Sequence, residues 1–336
     1  MTLLGRTDNQ MARDVRDRTG FHLFRLPTTL PTLEVNIYFA EHPVPTLIDV
    51  PPDSPPVLEK LKAGLNSVGY SLPDIKTIIV THSHLDHCGS ARTIADVSGA
   101  DVWAAEGVAT WLTDYDKESL DEEHFIVLTL ERSGVPRELI DQSRERFRIM
   151  RQFTRSVTET RPLVAGDTLK LSSCSLVVEH VPGHTPWCIM FHDARKKIAF
   201  TGDFLLGGIS PNPLIQRPWT VPGGYRSLKA YASSLVRVEG LNLKVGYPGH
   251  GELIANPTER ARALLGQIRA RRETILEILS RRRDQTVYDI VKRLFPQLPE
   301  GQVFLAVSEV WAHLEQLLDE GVLDEERGFP ARFSSL

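Results

Sequence analysis

The fold is decided by one stretch of the sequence, Thr81-His82-Ser83-His84-Leu85-Asp86-His87-Cys88-Gly89. It follows the apolar run Ile75–Val80, which is typical of a buried strand. Histidine and aspartate are costly to bury unless they are paired, and both are preferred ligands of zinc and related divalent metals. A cluster of imidazoles and a carboxylate at the end of a strand therefore predicts a metal site.

Later segments also place a ligand type at the end of a predicted strand. They are Val181-Pro182-Gly183-His184, Phe200-Thr201-Gly202-Asp203 and Tyr247-Pro248-Gly249-His250. Each has a glycine directly before the ligand, and glycine lets the backbone take a positive φ and approach a shared point closely. His184 or His250 alone would be an ordinary histidine. Together with the first stretch, these residues predict one converging site.

Short runs rich in Val, Ile and Phe come before the first stretch and predict consecutive strands of an antiparallel sheet. The runs are Phe21–Arg25, Val35–Ala40 and Thr46–Val50. Asp49, at the end of the third run, has two interpretations: it accepts a hydrogen bond from a ligand of the site, or it caps the Pro-rich turn that follows. Gly89–Val97 is predicted to be a helix whose N-terminus faces the cluster.

Residues 106–163 interrupt the strand pattern with helical spacings, and we interpret them as a helical insertion. Along its last helix, arginines recur on one face at Arg144, Arg148, Arg151 and Arg155. That face could grip an anionic substrate. The alternative, which we favour, is a solvated face whose charge is balanced by Glu138, Asp141 and Glu145.

Strand spacing returns after the insertion, so the second half repeats the sheet character of the first. The predicted elements are strands over 175–181, 187–192 and 197–201, a helix over 225–236 and a strand over 243–247. Beyond residue 256 the pattern changes to helices and a short terminal element, which together resemble a winged-helix domain.

The chain is therefore divided into three parts. We predict a polar N-terminal segment over 1–20, a sheet-rich domain over 21–256 that includes the insertion, and a winged-helix-like domain over 257–336. Arginines concentrate at the entry of the last part, which would suit nucleic acid; the alternative is a solvated linker helix. They are Arg269, Arg271, Arg272, Arg281, Arg282 and Arg283.

The composition is that of an ordinary globular protein, with 41% hydrophobic and 24% charged residues among 336. The net charge of -4 gives no overall field that would attract nucleic acid or an anionic membrane. No apolar run approaches the ~20 residues of a membrane span, and residues 1–20 lack the apolar stretch of a signal peptide. Cys88, Cys174 and Cys188 are predicted to be reduced thiols, and we expect a cytoplasmic protein without membrane contact.

With these ligands the sequence resembles the metallo-β-lactamase superfamily over most of residues 21–256, because the signature His-x-His-x-Asp-His is complete. The resemblance implies an αββα sandwich of the α/β (α+β) class, with the site at one edge. It also implies two divalent metal ions, zinc by preference and iron or manganese as alternatives. The implied ligands are His82, His84 and His184 for the first ion, Asp86, His87 and His250 for the second, and Asp203 as the bridge. Asp86 is also the candidate catalytic residue.

Two divalent ions that share one water lower its pKa and hold it as a bridging hydroxide in line with an electrophilic carbon or phosphorus. The resemblance points to glyoxalase II-like hydrolases and to β-lactamase-like proteins that carry a winged-helix tail. We expect hydrolysis of a small ester or thioester, because the insertion could cover the site and restrict it to small molecules. Cleavage of single-stranded RNA or another phosphodiester is one alternative. A nucleic-acid-binding regulator with a vestigial metal fold is another.

The expected partner is a small-molecule substrate, with RNA as the alternative. The C-terminal domain also carries an apolar stripe that could serve a homodimer, although such a stripe is more often core. The stripe consists of Val307, Val310, Leu314, Leu317 and Leu318.

Overall fold

An N-terminal helix, α1 Asp8–Thr19, precedes the sheets in the computed structural model. The structure describes residues 8–28, 34–215, 217, 224–326 and 328–335. Of the predicted polar segment, residues 1–7 lie outside the described residues, and most of the rest is helical, which the sequence pattern did not predict. Met11 and Val15 of α1 are fully buried and belong to the first hydrophobic core, so this helix is polar on one face only.

The first sheet has six strands in chain order. They are β1 Phe21–Pro27, β2 Glu34–Ala40, β3 Thr46–Ile48, β4 Thr77–Val80, β5 Asp101–Ala104 and β6 Arg161–Pro162. The strands β1, β2 and β3 pair antiparallel, as predicted, whereas β3 to β6 pair in parallel. Because β3 and β4 are parallel, the residues that follow them lie at the same edge of the sheet.

Short helices connect the strands of this sheet. They are α2 Pro55–Asn66, α3 Leu85–Cys88 and α4 Ala91–Ser98. The helix predicted over Gly89–Val97 corresponds to α4, whereas the short helix α3, which carries Asp86 and His87, was not predicted. The two helices are separated at Gly89, where a Cβ atom would lie 2.7 Å from the Phe153 carbonyl oxygen and 2.7 Å from Pro52 Cα. This close backbone packing fixes where the ligand-bearing turn ends.

The insertion contains three helices, α5 Glu106–Thr113, α6 Tyr115–Arg132 and α7 Arg137–Met150. A 3-10 turn over Arg151–Phe153 follows α7, so the arginine face is not carried by one continuous α-helix. Each arginine lies against a carboxylate: Arg144 and Arg151 against Glu123, Arg148 against Glu145, and Arg155 against Asp53 and Asp96. These pairs balance the positive charge and favour the solvated-face interpretation.

The second sheet has five strands in the order β11-β10-β9-β8-β7. They are β7 Thr168–Leu171, β8 Cys174–His180, β9 Ile189–Asp193, β10 Ile198–Gly202 and β11 Val245–Pro248, with α8 Ser227–Gly240 between the last two. The strands β9 and β10 form an antiparallel hairpin, as predicted. The strands β10 and β11 are parallel, so Asp203 and His250 follow them at the same edge.

The two sheets pack face to face, with helices on their outer sides. Aromatic rings join the inner faces: the centroids of Phe21 and Phe200 are 4.7 Å apart, and those of Tyr38 and Tyr247 are 6.2 Å apart. On the outer face of the second sheet, Tyr231 of α8 packs into a separate apolar cluster. This arrangement is the αββα sandwich that the resemblance implied.

The C-terminal region is helical, with a small sheet at its end. Its elements are α9 Pro257–Arg281, β12 Gln285–Thr286, α10 Val287–Leu294, α11 Val303–Asp319, β13 Leu323–Glu326 and β14 Arg332–Ser335. The sheet has the strand order β12-β14-β13. The three helices and a short terminal element were predicted from the sequence, whereas β12 and β14 were not, and the winged-helix domain stays a prediction.

The helices α9, α10 and α11 share one apolar cluster with α6 and α7 of the insertion, and we call this cluster the C-terminal core. Val307, Val310, Leu314 and Leu317 are fully buried in it. The apolar stripe is therefore mainly core, as the alternative interpretation had it. A homodimer formed through this stripe does not fit, because four of its five side chains are already covered.

Among the described residues, no helix is long and apolar enough to cross a membrane. The cytoplasmic location stays a prediction.

Candidate metal centre

All seven predicted ligands lie together at one edge of the two sheets, and we call this region the metal edge. Their donor atoms form two groups, and within each group these atoms lie within 4.8 Å of one another. The groups are His82, His84, His184 and Asp203, and then Asp86, His87 and His250. The ligand-bearing segments follow β4, β8, β10 and β11, so the ends of four strands assemble the site.

In the first group, ring nitrogens of three histidines face one another. His84 Nδ1 lies 3.1 Å from His82 Nε2 and 2.9 Å from His184 Nε2. The Nδ1 atoms of His82 and His184 donate outward, to Thr81 Oγ1 at 3.0 Å and to the Asn212 carbonyl at 2.9 Å. Because Nδ1 carries the proton in both rings, each Nε2 presents a lone pair to the centre. A cation bound here would satisfy these converging lone pairs.

In the second group, His87 Nε2 and His250 Nε2 lie 3.1 Å apart. The other nitrogen of each ring is held from outside: His87 Nδ1 lies 2.8 Å from Asp49 Oδ2, and His250 Nδ1 donates to the Glu34 carbonyl. In the neutral rings both Nε2 lone pairs therefore point at each other. Two facing lone pairs repel, and a cation bound by both nitrogens would remove that repulsion.

Asp203 lies between the two groups. One of its carboxylate oxygens, Oδ2, is 3.9 Å from His184 Nε2 in the first group and 3.2 Å from His250 Nε2 in the second. The other oxygen, Oδ1, is buried and makes no hydrogen bond to a described residue. It lies 3.4 Å from His87 Nε2. Burying a carboxylate oxygen that accepts no hydrogen bond costs free energy. The position of Oδ1 fits an oxygen that would bind a cation.

The surroundings of the first group favour neutral imidazoles. Burial lowers the pKa of His84 to about 3, and the neighbouring His184 acts in the same direction. Burial also lowers the pKa of His82, with further lowering from His87 and His84. Neutral imidazole is the form that binds a metal ion, so the first group is prepared for a cation without losing protons.

The imidazoles of the second group behave differently. Burial would lower the pKa of His250, but Asp203 and Asp86 outweigh it and raise that pKa to about 10. Asp203 and Asp49 likewise raise the pKa of His87 above its ordinary value, against the effect of burial. A proton on these rings balances the surrounding carboxylates, and a divalent cation would replace it. Both groups thus have the chemistry of a metal site.

Glycine is required at two turns that carry ligands. Gly202 has a φ of 48°, and a Cβ atom there would lie 2.8 Å from Thr81 Oγ1. At Gly249 a Cβ atom would lie 2.4 Å from Asp203 Oδ1 and 2.6 Å from His87 Cε1. The expectation that glycine permits a positive φ or a close approach at the ligand-bearing turns agrees with this geometry.

Asp49 supports the site. Its carboxylate accepts hydrogen bonds from the Thr81 backbone N–H at 2.8 Å and from Thr81 Oγ1 at 2.9 Å, in addition to its contact with His87. The residue has a φ of 61°, a conformation that aspartate tolerates better than most side chains. Of its two interpretations, the structure favours the one in which Asp49 orients a ligand.

Sequence reasoning missed the residues of β2 that hold the His250 turn. Asn36 Nδ2 donates to the carbonyls of Pro248 at 3.0 Å and Gly251 at 2.9 Å, and the Tyr38 hydroxyl donates to Pro248 at 2.8 Å. Asn36 is fully buried. A polar amide inside an otherwise apolar strand was the available signal, because such a side chain must find partners across the sandwich.

Cys88 lies beside His87 but belongs to neither group. Its thiol is buried and approaches the Ser83 carbonyl at 3.5 Å. Burial raises the pKa of this thiol well above its ordinary value, and the nearby Asp49 and Asp86 add to the effect. A neutral thiol is a poor nucleophile, so Cys88 is a packing residue.

The insertion is anchored close to the ligand segments. A Cβ atom at Gly107 of α5 would lie 2.0 Å from Trp187 Nε1, so the indole of Trp187 packs directly on this helix. Trp187 follows His184 by three residues. At the other end of the insertion, the Phe153 carbonyl accepts a hydrogen bond from Asp53 N at 2.7 Å. Both ends of the insertion are thus tied to segments that border the site.

Comparison with known proteins agrees with this geometry. The model of the metallo-beta-lactamase superfamily matches residues 45–250. The probable metallo-hydrolase YqjP of Bacillus subtilis is 27% identical over 299 residues, which cover 87% of this chain and 90% of that protein. The hydroxyacylglutathione hydrolase GloC of Haemophilus influenzae is 33% identical over 135 residues, which cover 40% of this chain and 52% of that protein.

Among solved structures, a metallo-beta-lactamase family protein of Thermus thermophilus aligns over 94% of this chain and 99% of its own, with a TM-score of 0.80 and 26% identity. This similarity spans the sandwich, the insertion and most of the C-terminal region. The family match covers more than half of the chain and includes all seven clustered side chains. The chain therefore belongs to the metallo-beta-lactamase superfamily, as a hydrolase whose clustered histidines and aspartates could bind metal.

Proposed function

We propose that the protein hydrolyses a small ester or thioester with two divalent metal ions, one in each group of the metal edge. The observation that carries this proposal is the position of Asp203, whose carboxylate lies within 4 Å of ring nitrogens from both groups. A carboxylate between two sets of imidazoles is the arrangement that bridges a metal pair. Imidazole and carboxylate ligands favour zinc, with iron or manganese as alternatives.

When bound, such ions supply Lewis acidity and an acidified water. The residues of the chain then have distinct tasks. The three histidines of the first group would offer neutral nitrogens to one ion, and Asp203 would offer a negatively charged carboxylate to the ions of both groups. Burial would raise the pKa of Asp86, but His87 and the hydrogen bond from His250 hold it below its ordinary value. As an ionised carboxylate at neutral pH, Asp86 would accept a hydrogen bond from the attacking water and orient it, which is the catalytic role we assign to it.

The substrate is proposed to be small because the insertion is fixed beside the site. Its first helix packs on Trp187, and its end is bonded to Asp53. A covered site restricts entry and excludes bulk water from the reacting bond. The relative from Haemophilus influenzae is named a hydroxyacylglutathione hydrolase, which supports a thioester as the first substrate class to test.

An RNA substrate is less well supported. In a winged-helix domain, which we still propose for residues 257–336, the third helix would normally contact nucleic acid. Here that helix is α11, and ten of its residues are buried in the packing with neighbouring helices. The partly exposed positions of its last turns include Glu315 and Asp319, which pair with Arg226 and offer no positive charge to phosphate. Among the entry arginines, Arg271, Arg272 and Arg281 are paired with glutamates. The same burial argues against a nucleic-acid-binding regulator.

The test is an assay of the zinc-loaded protein on a panel of thioesters, matched oxygen esters and single-stranded RNA. We expect turnover of at least one thioester, loss of that turnover in His82→Ala, and intact RNA. Cleavage of RNA that disappears in His82→Ala, with no thioester consumed, would reverse the preference. Metal analysis of the same sample should find two ions per chain, and fewer than one would favour the vestigial alternative.

A further inference from the structure

One ligand of the first group is held by a part of the chain outside the sandwich. His184 Nδ1 donates to the carbonyl of Asn212 at 2.9 Å, and the side chain of Asn212 donates through Nδ2 to the Leu305 carbonyl at 2.7 Å. Leu305 lies in the first turn of α11 in the C-terminal region. Asn212 thus links the imidazole of His184 to α11 through one residue.

The orientation of the Asn212 amide is fixed by chemistry. The Leu305 carbonyl can only accept a hydrogen bond, so the nitrogen of the amide must face it. The amide oxygen of Asn212 is buried and makes no hydrogen bond within the part of the chain that the structure describes. The side chain therefore has one specific attachment, and that attachment requires a donor.

The chain around Asn212 is held by the same region of the protein. Ile215 N donates to Ser308 Oγ of α11 at 2.7 Å, and Ser308 is fully buried. Arg260 of α9 donates to the carbonyls of Leu206 and Ile209, both at 2.7 Å. Segment 206–215, which follows the ligand Asp203, is thus fastened at several points by α9 and α11.

The outer hydrogen bonds of the other histidines have a different origin. His82 Nδ1 is bonded to Thr81, His87 Nδ1 contacts Asp49, and His250 Nδ1 donates to the Glu34 carbonyl. All three of these partners lie in the first sheet or directly after its strands. The partner of His184 is Asn212, whose side chain is hydrogen-bonded to α11. The outer support of this one imidazole therefore comes from the C-terminal region.

We infer that Asn212 is a positioning residue through which the C-terminal region completes the first metal group. This inference rests on the proposed binding of metal at the two groups and does not depend on the substrate. The carbonyl of Asn212 selects the tautomer in which His184 Nε2 faces the site, and the bond to Leu305 keeps that carbonyl in place. Outer partners of metal-binding histidines set the orientation of the ring in this way.

Loss of the donor in Asn212→Asp tests the inference, because aspartate has the shape of asparagine but would place an oxygen against the Leu305 carbonyl. We expect the affinity of the first group for Co²⁺ to fall roughly 10–100-fold, while the second group keeps its affinity. Titration with Co²⁺ against a chelator, followed by the visible absorption of the bound ion, gives the two affinities and the ligand geometry without any activity assay.

Asn256→Ala is the matched control. Asn256 caps α9 by accepting a hydrogen bond from Glu259 N at 3.3 Å, so its loss weakens the C-terminal region without touching His184. We expect a lower midpoint of unfolding for this variant, with both Co²⁺ affinities unchanged. The inference is overturned if Asn212→Asp binds Co²⁺ as tightly as the wild-type protein. It is also overturned if Asn212→Asp and Asn256→Ala lose the same Co²⁺ affinity at the first group.

If Asn212→Asp does not fold, Asn212→Ala is judged by the same criterion, because it removes the donor to the Leu305 carbonyl without placing an oxygen against it. A selective loss at the first group again supports the inference, and unchanged affinities overturn it. An unchanged protein that binds no Co²⁺ would instead refute the proposed function, so the two failures are distinguishable.

Discussion

The metal edge and the C-terminal core bury side chains of opposite kinds. At the metal edge, four imidazoles and two carboxylates are at least nine-tenths buried, among them His82, His87 and Asp203. In the C-terminal core the buried residues are aliphatic and aromatic, such as Val307, Leu314 and Phe333. Burial stabilises the second set and costs free energy in the first unless cations or partners compensate.

This difference predicts that activity and stability depend on different regions of the chain. Substitutions at the metal edge should change chemistry more than folding, and substitutions in the C-terminal core should do the reverse. Asn212 is the point at which the two regions meet, since it contacts His184 on one side and α11 on the other. The predictions below test this separation.

The largest effect is expected from His82→Ala, which removes an imidazole at the centre of the first group. We expect esterase or thioesterase activity to fall by about 1,000-fold or more, since loss of an outer partner alone costs roughly 10–100-fold. The far-ultraviolet circular dichroism spectrum should stay that of the folded protein. The matched control is His192→Ala, a buried histidine of β9 that contacts Glu179 and lies outside both groups. Equal activity losses in the two variants would contradict the separation.

Trp311→Ala should have the largest effect on folding. Trp311 is 5% exposed, packs edge-on against Phe333 with centroids 5.3 Å apart, and donates from Nε1 to Ser133 Oγ at 2.7 Å. Truncation of such a side chain costs about 3–5 kcal/mol of unfolding free energy, measured by urea denaturation. Trp311→Phe keeps most of the packing and should lose less. Under native conditions the metal content of Trp311→Ala should be unchanged, and its loss would show that the two regions are not separable.

Asp49→Asn should have an intermediate effect on activity. Asparagine tolerates the positive φ of this position and can still accept from Thr81 N, but it lacks the charge that faces His87 Nδ1. We expect activity to fall roughly 10–100-fold, with weaker metal binding in the second group.

The control for Asp49→Asn is Asp193→Asn, at a buried carboxylate that accepts backbone hydrogen bonds from Arg195 and Lys196 of the β9–β10 turn and from Ser175 of β8. It should affect stability and leave activity intact. If Asp49→Asn is as active as Asp193→Asn, Asp49 does not support the site in the way we describe.

The smallest effect is expected from Arg226→Ala. Arg226 joins α8 to α11 through hydrogen bonds to Asp319 of 2.9 and 3.1 Å, and both side chains are more than one-third exposed. Exposed ion pairs of this kind contribute about 0.2–1 kcal/mol, less at high salt. The urea midpoint of the variant should therefore lie slightly below that of the wild-type protein at low salt. At 1 M salt this difference should disappear. A loss comparable to Trp311→Ala would mean that ion pairs, and not apolar packing, hold the C-terminal core.

The site was predictable to a large extent because ligand chemistry is local. His82, His84, Asp86 and His87 are close in sequence, and each remaining ligand follows a strand and a glycine. Asn36, Tyr38 and Asn212 were not predictable as supports, because their partners are backbone carbonyls of residues more than 20 positions away. Helix α1 was missed because its polar face dominates its composition.

Taken alone, the sequence indicated a metal site and two sheet-rich halves, since the ligand motif and the alternation of strands are properties of short segments. Its resemblance to the metallo-β-lactamase superfamily implied the sandwich and hydrolysis. Tertiary structure decided what surrounds the site: which outer atom fixes each imidazole, that the arginines of the insertion are paired, and that α11 lies in the C-terminal core. These features depend on distances between segments that are far apart in the chain. Such distances are set by how the sheets and helices pack, and no local pattern of residues carries them.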